Sequence, residues 1–466
     1  MLTTRVVLPT PIPGWDALRS ELGVPGDFAP AVLAEAQAAA AEPRLPPYDL
    51  TGVDFLTIDP PGSTDLDQAM CLSELAAGYR VQYAIADVAA FVAPGGAVDL
   101  EAHRRGETLY APDGRTPLHP PVLSEGAASL LPDQVRPALV WTLELDATGE
   151  LQSTDVRRAM VRSRQRLDYA GVQRDIDAGG GLQLLKRVGE LRQERARARG
   201  AVDLPTPEQE VADGATPRIT YRAQLPSEGW NAQISLLTGI AAARLMLEGG
   251  VGLLRTLPPP DDGAVDSLRR SALALGVAWP DGAAYADVVS ALDPHQPADA
   301  ALLSLATRLL RGAAYTAFDG APPEQPLHSA VASVYAHCTA PLRRLADRYV
   351  GEVCVALCAG TEVPVWARTA LPALPEQMAA ADARARALDR AVVDLAEAMV
   401  LAPRVGDVFD GVVTEAGAKG GVVQLATPAV RGRIEGADLP LGQPVRVVLE
   451  LADPVTRQVR FRLASN

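Results

Sequence analysis

The hydrophobic pattern of this chain changes period twice, and those two changes restrict its fold more than any single motif does. Between Asp54 and about Arg164 apolar residues alternate. Val81, Tyr83 and Ile85 interleave with Gln82, Ala84 and Ala86, and Trp141, Leu143 and Leu145 interleave with Thr142, Glu144 and Asp146. A period of two sends successive side chains to opposite faces of a sheet, so this stretch reads as strands, with Ala147-Thr148-Gly149 as a hairpin turn. After Leu167 the spacing becomes helical over Leu182–Ala198, Trp230–Leu247, Ala300–Leu310, Ser329–Cys358 and Pro375–Val400. Past Val400 it returns to short β runs at Val408–Val413, Gly421–Leu425, Gly432–Glu435, Val445–Leu451 and Val459–Leu463, a pattern suited to a small OB-type barrel. Two short helical patterns, Trp15–Leu22 and Phe28–Ala41, precede the first strand. The expected fold class is α+β: a helical cap over 1–50, a body of mixed sheet and surrounding helices over 51–401, and a five-stranded barrel over 402–466.

Composition narrows the function classes. With 48% hydrophobic and 21% charged residues in 466, the chain has enough apolar material for a sizeable core and is not a disordered one. The most apolar helical window, Leu236–Leu254, is broken by Arg244, Glu248 and Gly249-Gly250, so no membrane span is expected. The N-terminal residues reach Pro9, Pro11 and Pro13 without an apolar run of the kind a secretory leader needs. Cys71, Cys338, Cys354 and Cys358 form no CxxC pair, which points to reduced thiols in a cytoplasm and away from a cysteine zinc site. A net charge of -14 argues against coating nucleic acid by bulk electrostatics, though it leaves room for a local basic channel. Of the 43 basic residues only Lys186 and Lys419 are lysine, so any single arginine is weak evidence for phosphate recognition.

One segment concentrates chemistry. Thr57-Ile58-Asp59-Pro60-Pro61-Gly62-Ser63-Thr64-Asp65-Leu66-Asp67-Gln68 places three carboxylates within nine residues, directly after an apolar strand. Carboxylates this close raise one another's pKa unless a cation neutralises them, and a hard divalent ion held by oxygen ligands is the simplest remedy. Asp65 and Asp67 share a side in an extended stretch, and the Pro-Pro-Gly bend can return Asp59 towards them. The plain alternative makes Asp65 a helix cap and Asp59 a turn residue. A calcium loop counted from Asp59 fails, because Gly62 falls at the fourth position and Met70 where the bidentate glutamate belongs.

The same segment resembles the active-site motif of the ribonuclease II (RNB) family, TID followed after a short gap by DxDDA. Further blocks resemble that family in order: Tyr83 to Gly95, Asp99 to Gly106, Leu123 to Pro132, Arg199 to Pro205, and Tyr335-Ala-His-Cys-Thr-Ala-Pro-Leu-Arg-Arg344. The C-terminal stretch, with Val405-Gly-Asp-Val-Phe-Asp-Gly and Arg431-Gly-Arg-Ile, resembles the S1-type RNA-binding OB fold. The resemblance implies a magnesium-dependent 3'-5' exoribonuclease that releases nucleoside 5'-monophosphates, with manganese as a possible substitute. It implies catalytic roles for Asp59, Asp65, Asp67 and Arg343, and a metal site made by Asp59, Asp65, Asp67 and Gln68. It implies that Tyr110 stacks on the RNA 3' end and that Arg344 helps to hold RNA, while the barrel, whose only aromatics are Phe409 and Phe461, is expected to bind RNA through Arg431, Arg433, Arg460 and Arg462. The expected partner is a single-stranded RNA 3' end, and the expected enzyme is a cytoplasmic monomer that does not engage membranes.

Several positions depart from the family pattern. Gln68 stands where the last aspartate of DxDDA is usual, Ala340 replaces a serine, Leu345 a tyrosine, Gly351 a histidine and Gly239 an asparagine. The two cold-shock barrels frequent in the family have no room in about 50 helical residues, which leaves a helix-turn-helix-like cap or plain packing as readings of that segment. These departures motivate an alternative: an RNB-like RNA-binding protein that has lost efficient hydrolysis.

Overall fold

The computed structural model describes residues 15–205, 208–212 and 218–464, so the reading of the first residues as free of a leader lies outside the described part. Helices α1 (Trp15–Glu21) and α2 (Pro30–Ala41) come first, followed by strands β1 (Phe55–Ile58), β2 (Gln68–Leu75) and β3 (Gly78–Ala86). Helix α3 (Ala97–Arg105), the small hairpin of β4 (Leu109–Ala111) and β5 (Gly114–Thr116), and the long strands β6 (Val135–Asp146) and β7 (Leu151–Leu167) complete the first third of the chain.

Strands β1, β2, β3, β6 and β7 close into a barrel. All neighbours are antiparallel except β1 and β7, which run parallel, so the sheet is mixed as expected. Closure explains a burial pattern that simple alternation does not capture: Val140 and Trp141, neighbours on opposite faces of β6, are both 0% exposed. One face fills the barrel and the other lies under helices and loops. Burying a large apolar side chain of this kind contributes about 1.5–3 kcal/mol.

The helices largely follow their sequence patterns, with Gln183–Ala198, Pro226–Gly249, Pro297–Ala306 and Leu374–Leu401 all helical. One expectation fails. Of the stretch Ser329–Cys358, only Leu345–Cys358 is helix, and residues 329–344 form two turns around a two-residue strand and a loop. Pro341 is one reason, since it lacks the amide a helix interior needs. The loop's amides are satisfied elsewhere: Ala336 N donates to Gly239 O at 3.0 Å and Leu342 N to a carboxylate of the first barrel's rim at 2.8 Å.

At the N-terminal side, α2 is locked to α3 by a side-chain cap. The Glu35 carboxylate accepts from the first two amides of α3, Ala97 N at 2.6 Å and Val98 N at 3.2 Å, where the helix dipole favours negative charge. A Cβ on Gly96 would meet Glu35 Oε1 at 2.3 Å, so a larger residue there would have to push this carboxylate aside.

A second closed five-stranded barrel occupies 408–463, in the order expected of an OB fold, with Phe409 and Phe461 in its core. It is moored to the helix Leu374–Leu401 through Glu397, whose Oε1 accepts from Arg431 N and Gln209 Nε2, both at 2.9 Å. Burial pushes the Glu397 carboxyl up to about 7 despite those bonds. Folding therefore raises its pKa, the unfolded chain holds fewer protons between about 4.5 and 7, and stability falls as pH rises through that window. Glu397→Gln keeps the accepting oxygen and removes the charge. It is expected to raise the unfolding free energy at pH 8 by about 1–3 kcal/mol, with the gain shrinking at pH 5, in paired denaturation curves.

Candidate active site

The acidic segment lies in the loop from the end of β1 to the start of β2, and the barrel fixes both ends of it. Asp59 N donates to Leu167 O of β7 at 3.1 Å, and Ala86 N of β3 donates to Asp67 O at 2.9 Å. Between them Gly62 adopts φ +82°, a backbone state that glycine enters without strain. Leu66, 0% exposed, plugs the core, while its N–H donates to Ser129 Oγ at 2.9 Å and its carbonyl accepts from Leu130 N at 3.0 Å. An apolar residue driven inward between two aspartates thus sets the course of the loop. Neither Asp65 nor Asp59 caps a helix.

The three carboxylates occupy different environments. Asp67 is 3% exposed. Its Oδ1 accepts from Leu342 N at 2.8 Å, and its Oδ2 lies 3.5 Å from Arg343 Nε. Burial nevertheless pushes its carboxyl up to about 8, with Asp347 and Asp65 adding to the rise and Arg343 opposing it. Asp59 is pushed up to about 6, first by burial and then by the charge of Asp65, and its Oδ2 is buried without a hydrogen-bond partner. Asp65 is held by Arg115, whose Nη1 donates to Asp65 Oδ1 while its Nη2 donates to Thr64 Oγ1 at 2.6 Å and lies 2.8 Å from Glu125. Two carboxylates are left short of positive charge and one is supplied with it.

Arg343, in the loop that precedes the helix Leu345–Cys358, opposes the rise of both carboxylates. Its side chain is 44% exposed, and among the described residues its terminal nitrogens carry no hydrogen bond. The loop presenting it is gripped on several sides. Thr108 N donates to Arg343 O at 2.9 Å, Leu345 N to Gly106 O at 3.0 Å, and Ala340 N to Asp347 Oδ1 at 2.7 Å. Gln68 Nε2 donates to Thr339 O, so this amide ties the strand to the loop. Gly239 belongs to the same packing, since a Cβ there would meet Tyr335 Cε2 at 2.2 Å and Ala336 O at 2.5 Å.

The β4–β5 hairpin brings Tyr110 to the rim. The residue is 48% exposed, and its hydroxyl donates to Asp65 Oδ2 at 3.4 Å. Other expected residues are placed elsewhere. Arg344 turns inward and forks onto Asp347, Nε to Oδ2 at 3.0 Å and Nη2 to Oδ1 at 2.8 Å, which removes it from the exposed face where an RNA contact was expected. Arg431 Nη2 donates to Ser304 Oγ at 2.8 Å and sits 3.5 Å from Glu415, so it bridges the barrel to the helix Pro297–Ala306. Arg460 and Arg462 pair with Glu435 and Glu450 at 3.3 and 3.2 Å. Arg433 is exposed on the strand Arg431–Glu435, in register with Arg460 of the parallel strand beside it. Sequence reading missed Arg115 and Asp347, which carry no motif and pair with Asp65 and Arg344.

Comparison with known proteins gives a consistent picture. Residues 48–358 match the RNB domain family, and residues 407–464 match the RNase II-type exonuclease C-terminal S1 domain. Ribonuclease R of Escherichia coli is 27% identical over 423 residues, covering 84% of this chain and 51% of that protein. The chain spans about a third to a half of the length of the curated relatives it matches. Mycoplasma genitalium RNase R, solved with ribose-methylated single-stranded RNA, superposes with a TM-score of 0.86 at 18% identity, over 96% of this chain and 77% of the other. Yeast Ssd1, a pseudonuclease, superposes with a TM-score of 0.70 at 16% identity, over 88% and 53%. With the RNB match alone spanning well over half of its residues, the chain belongs to the ribonuclease II (RNB) family.

Proposed function

We propose that the chain is a magnesium-dependent 3'-5' exoribonuclease that hydrolyses RNA to nucleoside 5'-monophosphates in the cytoplasm. The observation that carries this reading is that two buried carboxylates, Asp59 and Asp67, both feel the charge of Arg343, an arginine whose terminal nitrogens carry no hydrogen bond among the described residues. Among the described residues no three acidic, histidine or cysteine side chains converge tightly enough to hold a metal by themselves. Magnesium commonly keeps several waters and binds through one or two carboxylates together with substrate phosphate, and the proposal assigns it a site of that kind. The orphaned Asp59 Oδ2 is a ready donor atom, and the fit is made by Asp59 and Asp67, with Asp65 and the carbonyl of Gln68 at the margin.

A divalent ion held by Asp59 and Asp67 would make a water more acidic at neutral pH and would offset phosphate charge. The residues of the chain do the rest. Arg343 gives its free guanidinium edge to the scissile phosphate. Tyr110 offers an exposed ring on which a terminal base stacks without sequence preference. Asp67 is oriented for its role by the amide of Leu342. Arg433, exposed on the barrel, meets backbone phosphate.

The alternative, an RNB-like protein that binds RNA and cuts it poorly, draws support from Gln68, whose amide is engaged with Thr339 O, and from the structural kinship with a pseudonuclease. Oligoribonucleotides labelled at the 3' or the 5' end, incubated with magnesium or with chelator, separate the two. Stepwise loss of 3'-terminal nucleoside 5'-monophosphates only with magnesium is the expected result. Stable retention of intact RNA in both conditions favours the binder.

A further inference from the structure

Helix α1 makes no contact with the aspartates, yet three of its side chains join the elements around them. Leu18, 2% exposed, is buried in one apolar cluster with Leu109 of β4, Leu388 and Leu395 of the helix Leu374–Leu401, and Phe409 and Val447 of the C-terminal barrel. Arg19 Nη2 donates to Asp113 Oδ1 at 2.5 Å, at the turn of the β4–β5 hairpin. Glu21 accepts both terminal nitrogens of Arg457, in the barrel's last turn, at 2.8 and 3.0 Å. A hairpin with three residues per strand is marginal alone and takes its position from what it packs against. This hairpin carries Tyr110 and Arg115, and both reach Asp65.

We propose that α1 is a strut between the S1-type barrel and the β4–β5 hairpin, and that Leu18 and Arg19 are positioning residues that set where Tyr110 and Arg115 stand over the acidic loop. The proposal rests on the nuclease reading for its consequence, the placement of the RNA 3' end, but not for the mechanical coupling. An ion pair 26% and 21% exposed adds little to global stability. Its effect is local, on a short hairpin with one other apolar anchor in Leu109.

The test compares the full chain with Arg19→Ala, Asp113→Asn, the double variant and Arg19→Lys. Amide hydrogen exchange over residues 109–116, measured without RNA, is expected to quicken several-fold in each single alanine or asparagine variant. The double variant is expected to exchange no faster than either single, as for one shared interaction, and Arg19→Lys to restore slow exchange. With an oligoribonucleotide, KM rises about fivefold while kcat stays within about twofold. Unchanged exchange in the single variants, additive effects in the double, or a loss of kcat in place of the rise in KM overturns the strut. If the unaltered chain cuts no RNA, the nuclease reading fails, and the exchange data alone decide the coupling.

Discussion

Asp67→Asn is expected to lower RNA cleavage by at least about 10³-fold while leaving RNA binding close to that of the unaltered chain and the fold as stable or more so. The three parts of this expectation have one physical source. Asp67 is almost fully buried, and its carboxyl is pushed up to about 8 because desolvation outweighs the nearby guanidinium. In the absence of a bound cation, ionising it costs stability, so an uncharged amide of the same shape is tolerated. Asparagine can still accept from Leu342 N through Oδ1, which preserves the contact between the acidic loop and the arginine loop. What it lacks is the charge that attracts a divalent ion and balances Arg343. The measurements are single-turnover cleavage with magnesium, filter binding of a labelled oligoribonucleotide, and thermal unfolding at pH 8. A variant that still cleaves within tenfold of the parent would show that Asp67 is not the carboxylate on which hydrolysis depends. A variant that fails to fold would contradict the account of its burial.

Much of this arrangement was legible in the sequence because it is local. The spacing of Asp59, Asp65 and Asp67 around Leu66 is a short-range pattern, and the apolar strand before it announces where the segment sits. The five short β runs after Val400 were equally clear, since they are rich in valine and separated by turns that hold glycine or proline: Gly417 and Gly420, Pro428, Gly436 and Pro454. What escaped was long-range or buried on every side. Residues 329–344 look helical because they are almost uniformly apolar or small, yet that uniformity reflects a loop enclosed by Gly239, Gln68 and Asp347. Periodicity cannot separate such a loop from a buried helix. Arg115 and Asp65 are 50 residues apart, and no spacing rule relates them. Arg344 was expected to contact RNA from the family resemblance, whereas its guanidinium is drawn inward by an ion pair that no motif announces. The carboxylate that claims it lies one helical turn further on, in a position that also reads as an ordinary acidic residue in a helix's first turn.

That carboxylate sets the second large expectation: Asp347→Ala lowers the unfolding free energy by about 3–5 kcal/mol. It also lowers kcat through a residue that never meets RNA. Asp347 accepts both ends of the Arg344 fork and the amide of Ala340, with its side chain 0% exposed. Removing it strands a guanidinium that is only 17% exposed together with a buried N–H, and a largely desolvated charge without its partner is the costliest kind of loss. The same bonds hold both sides of Arg343, whose backbone lies between Ala340 and Arg344, so the loop relaxes at the point where the guanidinium is presented. Arg344→Met combined with Asp347→Leu offers an apolar pair of similar volume and should recover most of the stability, because nothing charged is then left buried. It cannot recover the acceptor for Ala340 N, so Arg343 stays loosely held and kcat stays low. Urea denaturation and single-turnover cleavage on the three proteins read the two effects separately. If the double variant regains full activity along with stability, the carboxylate serves only the fold, and the position of Arg343 depends on Thr108, Gly106 and Gln68 alone.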